Sequence, residues 1–113
     1  MRRFFTAVIE QGISYEADFS TEPYESGWAS EARWFVRILD GQADGLHITA
    51  NPEISPDGLM WLSDGTDPIR LPATENAAAT CAQKEFGNWL RLRIAFDGAP
   101  RKVKFLIYLA LKE

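Results

Sequence analysis

The sequence predicts an all-β fold, an antiparallel β-sandwich of about eight strands that forms a single domain over residues 1–113. Apolar and polar residues alternate with a period of two in most of the apolar runs, as in strands with one buried face. Five Asp-Gly pairs separate those runs, and such pairs favour tight turns because Gly tolerates positive φ. Turns at this spacing favour a sandwich, and a small closed barrel is the structural alternative.

The first predicted strands occupy the amino-terminal third of the chain. The odd positions of Ile13–Ser20 are apolar and the even positions are polar, which predicts one half-buried strand. From Trp28 to Ile38 the even positions form the apolar face. Phe35 therefore points outward, between Arg33 and Arg37.

The remaining strands follow the same pattern. Residues Leu46–Ala50, Asn88–Phe96 and Arg101–Lys112 each place alternate apolar side chains on one face, and Met60–Leu62 and Ile69–Leu71 are shorter candidates. The face opposite the core then carries Trp89, Arg91, Arg93 and Tyr108. The segment from Thr74 to Gly87 fits a short helix, an irregular strand or a loop about equally well.

The most informative motif is Ser55-Pro56-Asp57-Gly58-Leu59-Met60-Trp61, a Ser-x-Asp-Gly-x-x-Trp pattern. Ser and Asp side chains can bind turn amides, Gly supplies a left-handed position, and we expect Trp61 to enter the core between the sheets. A strand with an aromatic-apolar-Arg-apolar sequence follows at Trp89–Leu92. Together they resemble discoidin-like and other galactose-binding-like domains, and small phage-type β-sandwich proteins. That resemblance implies a jelly-roll or galactose-binding-like scaffold whose ligands bind at variable loops.

The charge and the reactive residues exclude several functions. Twelve Lys plus Arg against sixteen Asp plus Glu give a net charge of -4, which disfavours duplex nucleic acid as a partner. His47 and Cys81 are the only residues of their types, so a zinc site or an activated thiol lacks neighbours in the sequence. No nucleophile elbow, phosphate loop or dinucleotide motif is present. We therefore expect no enzymatic activity and no cofactor, and the acidic turns at 40–45 and 64–67 leave open only a weak calcium site.

The same features predict where the protein works. A single cysteine points to a reducing compartment. The apolar stretch Phe4–Ile9 is too short for a signal-peptide core or a membrane span. We expect a cytoplasmic protein with no membrane partner.

The outward-facing aromatic and arginine side chains are the candidate functional residues. Three interpretations remain open: another segment of the chain covers them, they form a subunit interface, or they form a ligand platform. The leading hypothesis is a non-catalytic assembly or interaction module that self-associates into a homo-oligomer through an outer sheet face. The alternative is a carbohydrate-binding module that uses aromatic stacking. The candidate residues are Phe35, Trp89, Arg91, Arg93, Tyr108 and Tyr24.

Overall fold

Two antiparallel sheets make up the fold. The computed structural model describes residues 3–98 and 102–113, and for 42–44 it describes only the backbone. The strands in these ranges are β1 Phe4–Tyr15, β2 Phe19–Ser20, β3 Tyr24–Glu25, β4 Glu31–Asp40, β5 Gln42–Ser55, β6 Leu62–Ser63, β7 Ile69–Thr74, β8 Ala78–Lys84, β9 Trp89–Asp97 and β10 Val103–Lys112. The predicted all-β, antiparallel sandwich is confirmed. Three of the ten strands have only two residues, and Arg101, the predicted start of the last strand, lies outside the described ranges.

The strands divide into two sheets, which we call sheet A and sheet B. Sheet A has the order β1-β10-β4-β8. Sheet B has the order β2-β9-β5-β6, with β3 also paired to β9 and β7 also paired to β5. The chain passes repeatedly from one sheet to the other, so residues distant in sequence become neighbours.

The core lies between the sheets and is built from the alternate residues that the pattern predicted. Trp34, Val36 and Ile38 of sheet A are buried against Leu90 and Leu92 of sheet B. β10 alternates between buried and half-buried residues over its whole length. Alternation places one face of each strand in the core and the other face outside. Apart from Ala7, the buried apolar residues of the described ranges belong to one cluster that includes strands of both sheets.

The predicted strand Ile13–Ser20 is wrong as a single element. β1 begins earlier, at Phe4, and ends at Tyr15, and the chain then crosses to sheet B, where Phe19 begins β2. Two register shifts against β10 lie on either side of Gln11, and Gly12 has a φ of 76°. Such bulges change which face a residue takes, and the Ile13 side chain is 52% exposed. The alternation of apolar and polar residues continues across residues 16–18, where the chain changes from sheet A to sheet B.

The ambiguous segment Thr74–Gly87 contains a strand. β8 pairs with β4 from Arg37–Ala78 to Glu31–Lys84 without a register shift. The Thr80 hydroxyl donates to the Trp34 carbonyl oxygen at 2.7 Å, which fixes β8 to its neighbour. No stripe of apolar residues at helical spacing favours a helix here, and pairing with β4 decides the structure.

The Ser55–Trp61 motif forms the predicted turn. The Ser55 hydroxyl accepts a hydrogen bond from the Gly58 amide at 2.7 Å, and Asp57 Oδ1 accepts from the Leu59 and Met60 amides at 2.8 and 2.9 Å. Gly58 has a φ of 80°, which a residue with a Cβ rarely adopts.

The prediction that Trp61 enters the core is wrong. Trp61 is half-buried outside the core cluster, and Trp34 is the tryptophan that fills the centre. After the turn the chain runs along the edge of sheet B as the two-residue strand β6. From that edge the indole lies on the outer face, with the Arg91 guanidinium 4.3 Å from its centroid. The cation–π contact with Arg91 takes the place of the packing contacts that the core would have supplied to Trp61.

Candidate functional site

The six candidate residues lie in three places. Phe35 and Tyr108 lie opposite each other on the outer face of sheet A. Trp89, Arg91 and Arg93 belong to the outer face of sheet B, on the other side of the sandwich. Tyr24 packs against the partly buried margin of the core. No single sheet face contains all six, so sheet A and sheet B offer separate candidate surfaces.

The outer surface of sheet A is the more apolar of the two. We call it outer face A and define it by the outward side chains of its four strands. The register aligns Val8, Tyr108, Phe35 and Thr80 in one row across β1, β10, β4 and β8. Cross-strand neighbours of this kind have Cβ atoms roughly 5 Å apart and touch one another. Other outward apolar side chains of this face are Phe4, Leu106, Ala110, Ala78 and Ala82.

A groove crosses the centre of outer face A. Its volume is about 420 Å³, and Phe35, Tyr108 and Leu106 form its walls with small side chains of β8. Phe35 is 41% exposed and Val8 is 53% exposed. The groove exists because Ala78 and Thr80 are too short to fill the space beside the aromatic rings. An apolar, open surface on a folded protein is a recognised mark of an interaction site.

Two arginines lie on either side of Phe35 on outer face A, and one of them, Arg37, lines the groove. Arg33 Nη1 donates to Thr80 Oγ1 at 3.2 Å, and Arg37 Nη2 donates to Asn76 Oδ1 at 2.6 Å. Within the described ranges neither guanidinium forms an ion pair with a carboxylate. Neutral acceptors therefore orient both side chains. Arginine and aromatic side chains are enriched at the centres of protein–protein interfaces.

The outer surface of sheet B is already occupied by its own side chains. Arg91 Nε lies 2.7 Å from Glu53 Oε1, both side chains are largely covered, and the guanidinium stacks over Trp61. The Trp89 ring lies against the turn, where a Cβ on Gly58 would be 3.5 Å from the indole. These aromatic faces are in contact with the chain itself. Only Arg93 of the three predicted residues is exposed.

Tyr24 lies at one end of the sandwich rather than on a binding platform. Its ring stacks against Phe5 with 6.4 Å between centroids. Trp28, the other aromatic residue of this loop region, has the Arg3 guanidinium 4.6 Å from its ring. Both aromatic side chains are half-buried. Neither lies beside Phe35 or Tyr108.

The titratable groups serve packing and turns. Burial and a hydrogen bond donated to Glu10 raise the pKa of Tyr15 to about 12. Burial also raises the pKa of the Cys81 thiol to about 11, which keeps it protonated at neutral pH. In the described part of the chain, no three His, Cys, Asp or Glu side chains converge as metal ligands. The Asp44 side chain, part of the first acidic turn considered for calcium, lies outside what is described.

A buried polar chain was missed by sequence reasoning. The Trp34 indole donates to Gln83 Oε1 at 2.7 Å, and Gln83 Nε2 donates to Asp64 Oδ2 at 2.9 Å. Gln83 is 1% exposed. The signal in the sequence was a glutamine at an inward position of β8, but its partners lie 19 and 49 residues away.

Within the described ranges no helix has the length and apolar character to cross a membrane.

Comparison with known proteins supports the fold. No family model matches the chain, and no curated protein matches it. Among solved structures it is similar to one described as the crystal structure of PBSX exported protein XepA, with a TM-score of 0.69 and 10% sequence identity. The match covers 95% of this chain and 36% of that one, so the chain spans about a third of its length. This likeness shows a shared β-rich fold, and the discoidin-like assignment is not confirmed.

Proposed function

We propose that the chain is a non-catalytic assembly module that self-associates through outer face A. The observation that carries the proposal is the row of the exposed Val8 and Phe35 with the half-buried Tyr108 between them, flanked by two arginines without an ion-pair partner in the described ranges. Apolar area of this kind gains free energy when a second surface covers it. The alternative cover, another segment of the same chain, is not found over this face among the described residues.

The row is suited to a protein contact because the sheet beneath it is rigid. β10 and β4 are the two central strands of sheet A, and their inward side chains are fully buried. The backbone of these two strands is already ordered by pairing on both sides, so association does not have to order it. Aromatic and arginine residues over a rigid base are where binding energy concentrates.

The test is a matched pair of charge substitutions. Phe35→Glu places a carboxylate in the centre of outer face A, whereas Leu59→Glu places one on a turn where the side chain is 86% exposed. We expect sedimentation velocity to show dissociation of the Phe35 variant and no change in the Leu59 variant. Equal behaviour of both variants and the parent chain would contradict the proposal.

The second candidate is a carbohydrate-binding module related to galactose-binding-like domains. Tyr108 favours it, because this ring lines an open groove next to Phe35 and the Arg37 guanidinium. A sugar ring can stack on the aromatic face while arginine donates to its hydroxyls. Titration with a glycan library would then lose binding in Tyr108→Ala but keep it in Trp89→Ala and Tyr24→Ala. Unchanged binding in the Tyr108 variant removes this candidate.

A further inference from the structure

Sheet edges in this protein differ in their protection against pairing with another chain. A free edge strand exposes backbone N–H and C=O groups, and natural proteins block such edges with bulges, prolines or very short strands. β1 has two register shifts, β7 contains Pro72, and β2, β3 and β6 have two residues each. Among the described strands at sheet edges, β8 alone has no bulge, no proline and more than two residues, and its one charged residue, Lys84, lies at its end.

The backbone of β8 is suited to a further strand. The Ile38 amide donates to the Ala77 carbonyl oxygen at 2.8 Å, so alternate residues of β4 starting from Ile38 bond to β8. By the same alternation Ala79, Cys81 and Gln83 bond to β4. The amides and carbonyls of the intervening residues then point away from the sheet. Those residues are Ala78, Thr80, Ala82 and Lys84, all of them exposed.

We propose that β8 pairs with β8 of a second copy across a two-fold axis, antiparallel and centred on Cys81. In that register Thr80 faces the partner's Ala82, and Lys84 faces the partner's Ala78. The outward backbone groups of both strands form about eight hydrogen bonds, two for each hydrogen-bonded residue pair. The two copies of sheet A become one continuous sheet. This contact uses the outward backbone groups of β8, whereas outer face A consists of the side chains above the sheet.

The occupant is a second copy because the edge is complementary to itself. The outward side chains are small except for Lys84, and the two-fold register sets each Lys84 opposite an alanine rather than opposite its like charge. Lys84 Nζ already lies 3.9 Å from Glu31 Oε1 of its own chain, which balances its charge. β8 carries no inward-pointing charged side chain to oppose pairing. An isologous contact of this kind closes as a dimer.

The test reads the register by disulfide formation. Two variants, Thr80→Cys/Cys81→Ser and Ala82→Cys/Cys81→Ser, are mixed and oxidised with copper phenanthroline. Hydrogen-bonded antiparallel pairs have Cα atoms roughly 5.5 Å apart, within the range of a disulfide, whereas diagonal pairs are roughly 7 Å apart or more. Random pairing in an equimolar mixture already gives the mixed disulfide twice as often as either same-variant disulfide, so we expect the mixed disulfide to exceed the sum of the two same-variant disulfides. A mixed yield that does not exceed that sum, or no cross-linked dimer, would overturn the proposal.

A backbone variant separates this contact from the proposed function. Ala82→Pro removes an outward N–H without removing a bond to β4, and Ala82→Thr is the control that keeps it. We expect the dimer dissociation constant to rise about tenfold or more in the proline variant only. An unchanged constant in a folded Ala82→Pro chain would overturn the edge contact. The Phe35→Glu variant keeps the Thr80–Ala82 disulfide yield if the two contacts are separate.

Discussion

At the scale of single residues, the indole of Trp34 combines complete burial with a polar N–H group. It is fully buried, and its N–H donates to Gln83, which in turn donates to Asp64. A buried polar group is tolerated only while it is hydrogen-bonded. The three side chains therefore connect the centre of sheet A with the turn after β6.

Trp34→Phe removes the donor and leaves the Gln83 amide oxygen unsatisfied. We expect the free energy of unfolding to fall by about 1–3 kcal/mol, with a further loss from the smaller ring. Urea denaturation measures this fall in the free energy of unfolding. Trp61→Phe is the control, because a surface ring under Arg91 loses no buried hydrogen bond. Equal effects of the two substitutions would contradict this role for Trp34.

Asp57 predicts a dependence of stability on pH. Hydrogen bonds from the backbone amides of Met60 and Leu59 lower the pKa of its carboxyl below the ordinary value. A lowered folded-state pKa contributes stability above the unfolded-state pKa, and the contribution is lost as the pH falls through the folded-state value. Asp57→Asn should therefore melt at a lower temperature than the parent chain at pH 7. The gap should shrink below about pH 4. A gap that is constant over this range would contradict the assignment.

The two tryptophans show what the sequence could predict at this scale. Trp34 lies within a regular alternation, so its inward direction followed from its position alone. Trp61 follows a turn and precedes a two-residue strand, and no periodic pattern fixes its direction. Its place over Arg91 depends on a contact with β9, distant in sequence. The hydrogen bonds of Gln83 were not predicted for the same reason, because its partners are also distant in sequence.

At the scale of elements, pairing with a neighbouring strand determines the secondary structure of segments whose local sequence is ambiguous. The run Ala77–Ala79 has good helix formers, but β4 offers unpaired backbone beside it, and β8 forms there. The break between β1 and β2 lies at residues 16–18, and it went unpredicted because the alternation of apolar and polar residues continues across it. The long strands β4, β9 and β10 were predicted well because each buries one face.

The turn between β4 and β5 supplies a prediction at this scale. A Cβ on Gly41 would lie 2.6 Å from the Ala73 carbonyl oxygen, a backbone atom of β7. Gly41→Ala should cost about 1–3 kcal/mol of stability because the strands must separate. Gly12→Ala is the comparison, since its Cβ meets nothing within 4 Å and only its φ of 76° is unfavourable. We expect the smaller loss there, about 1 kcal/mol, in thermal denaturation. The reverse order would contradict the close approach at Gly41.

At the scale of the whole molecule, the two outer faces have different chemistry. The outer surface of sheet B holds an ion pair and rings covered by its own chain, whereas outer face A leaves Phe35, Tyr108 and Val8 in contact with solvent. Alternation predicted which residues face outward but not which strands share a sheet. The sequence therefore predicts one outward set that contains both Phe35 and Trp89, whereas the structure places them on different sheets. The difference between the faces assigns the proposed contact to outer face A.

The most direct measurement of the central claim is the molar mass of the chain in solution. Sedimentation equilibrium over a concentration series reaching tens of micromolar reports it without any substitution. If outer face A is buried by another copy, the weight-average mass rises with concentration above the 12.7 kDa of one chain. A mass that stays at 12.7 kDa across the series would contradict the claim.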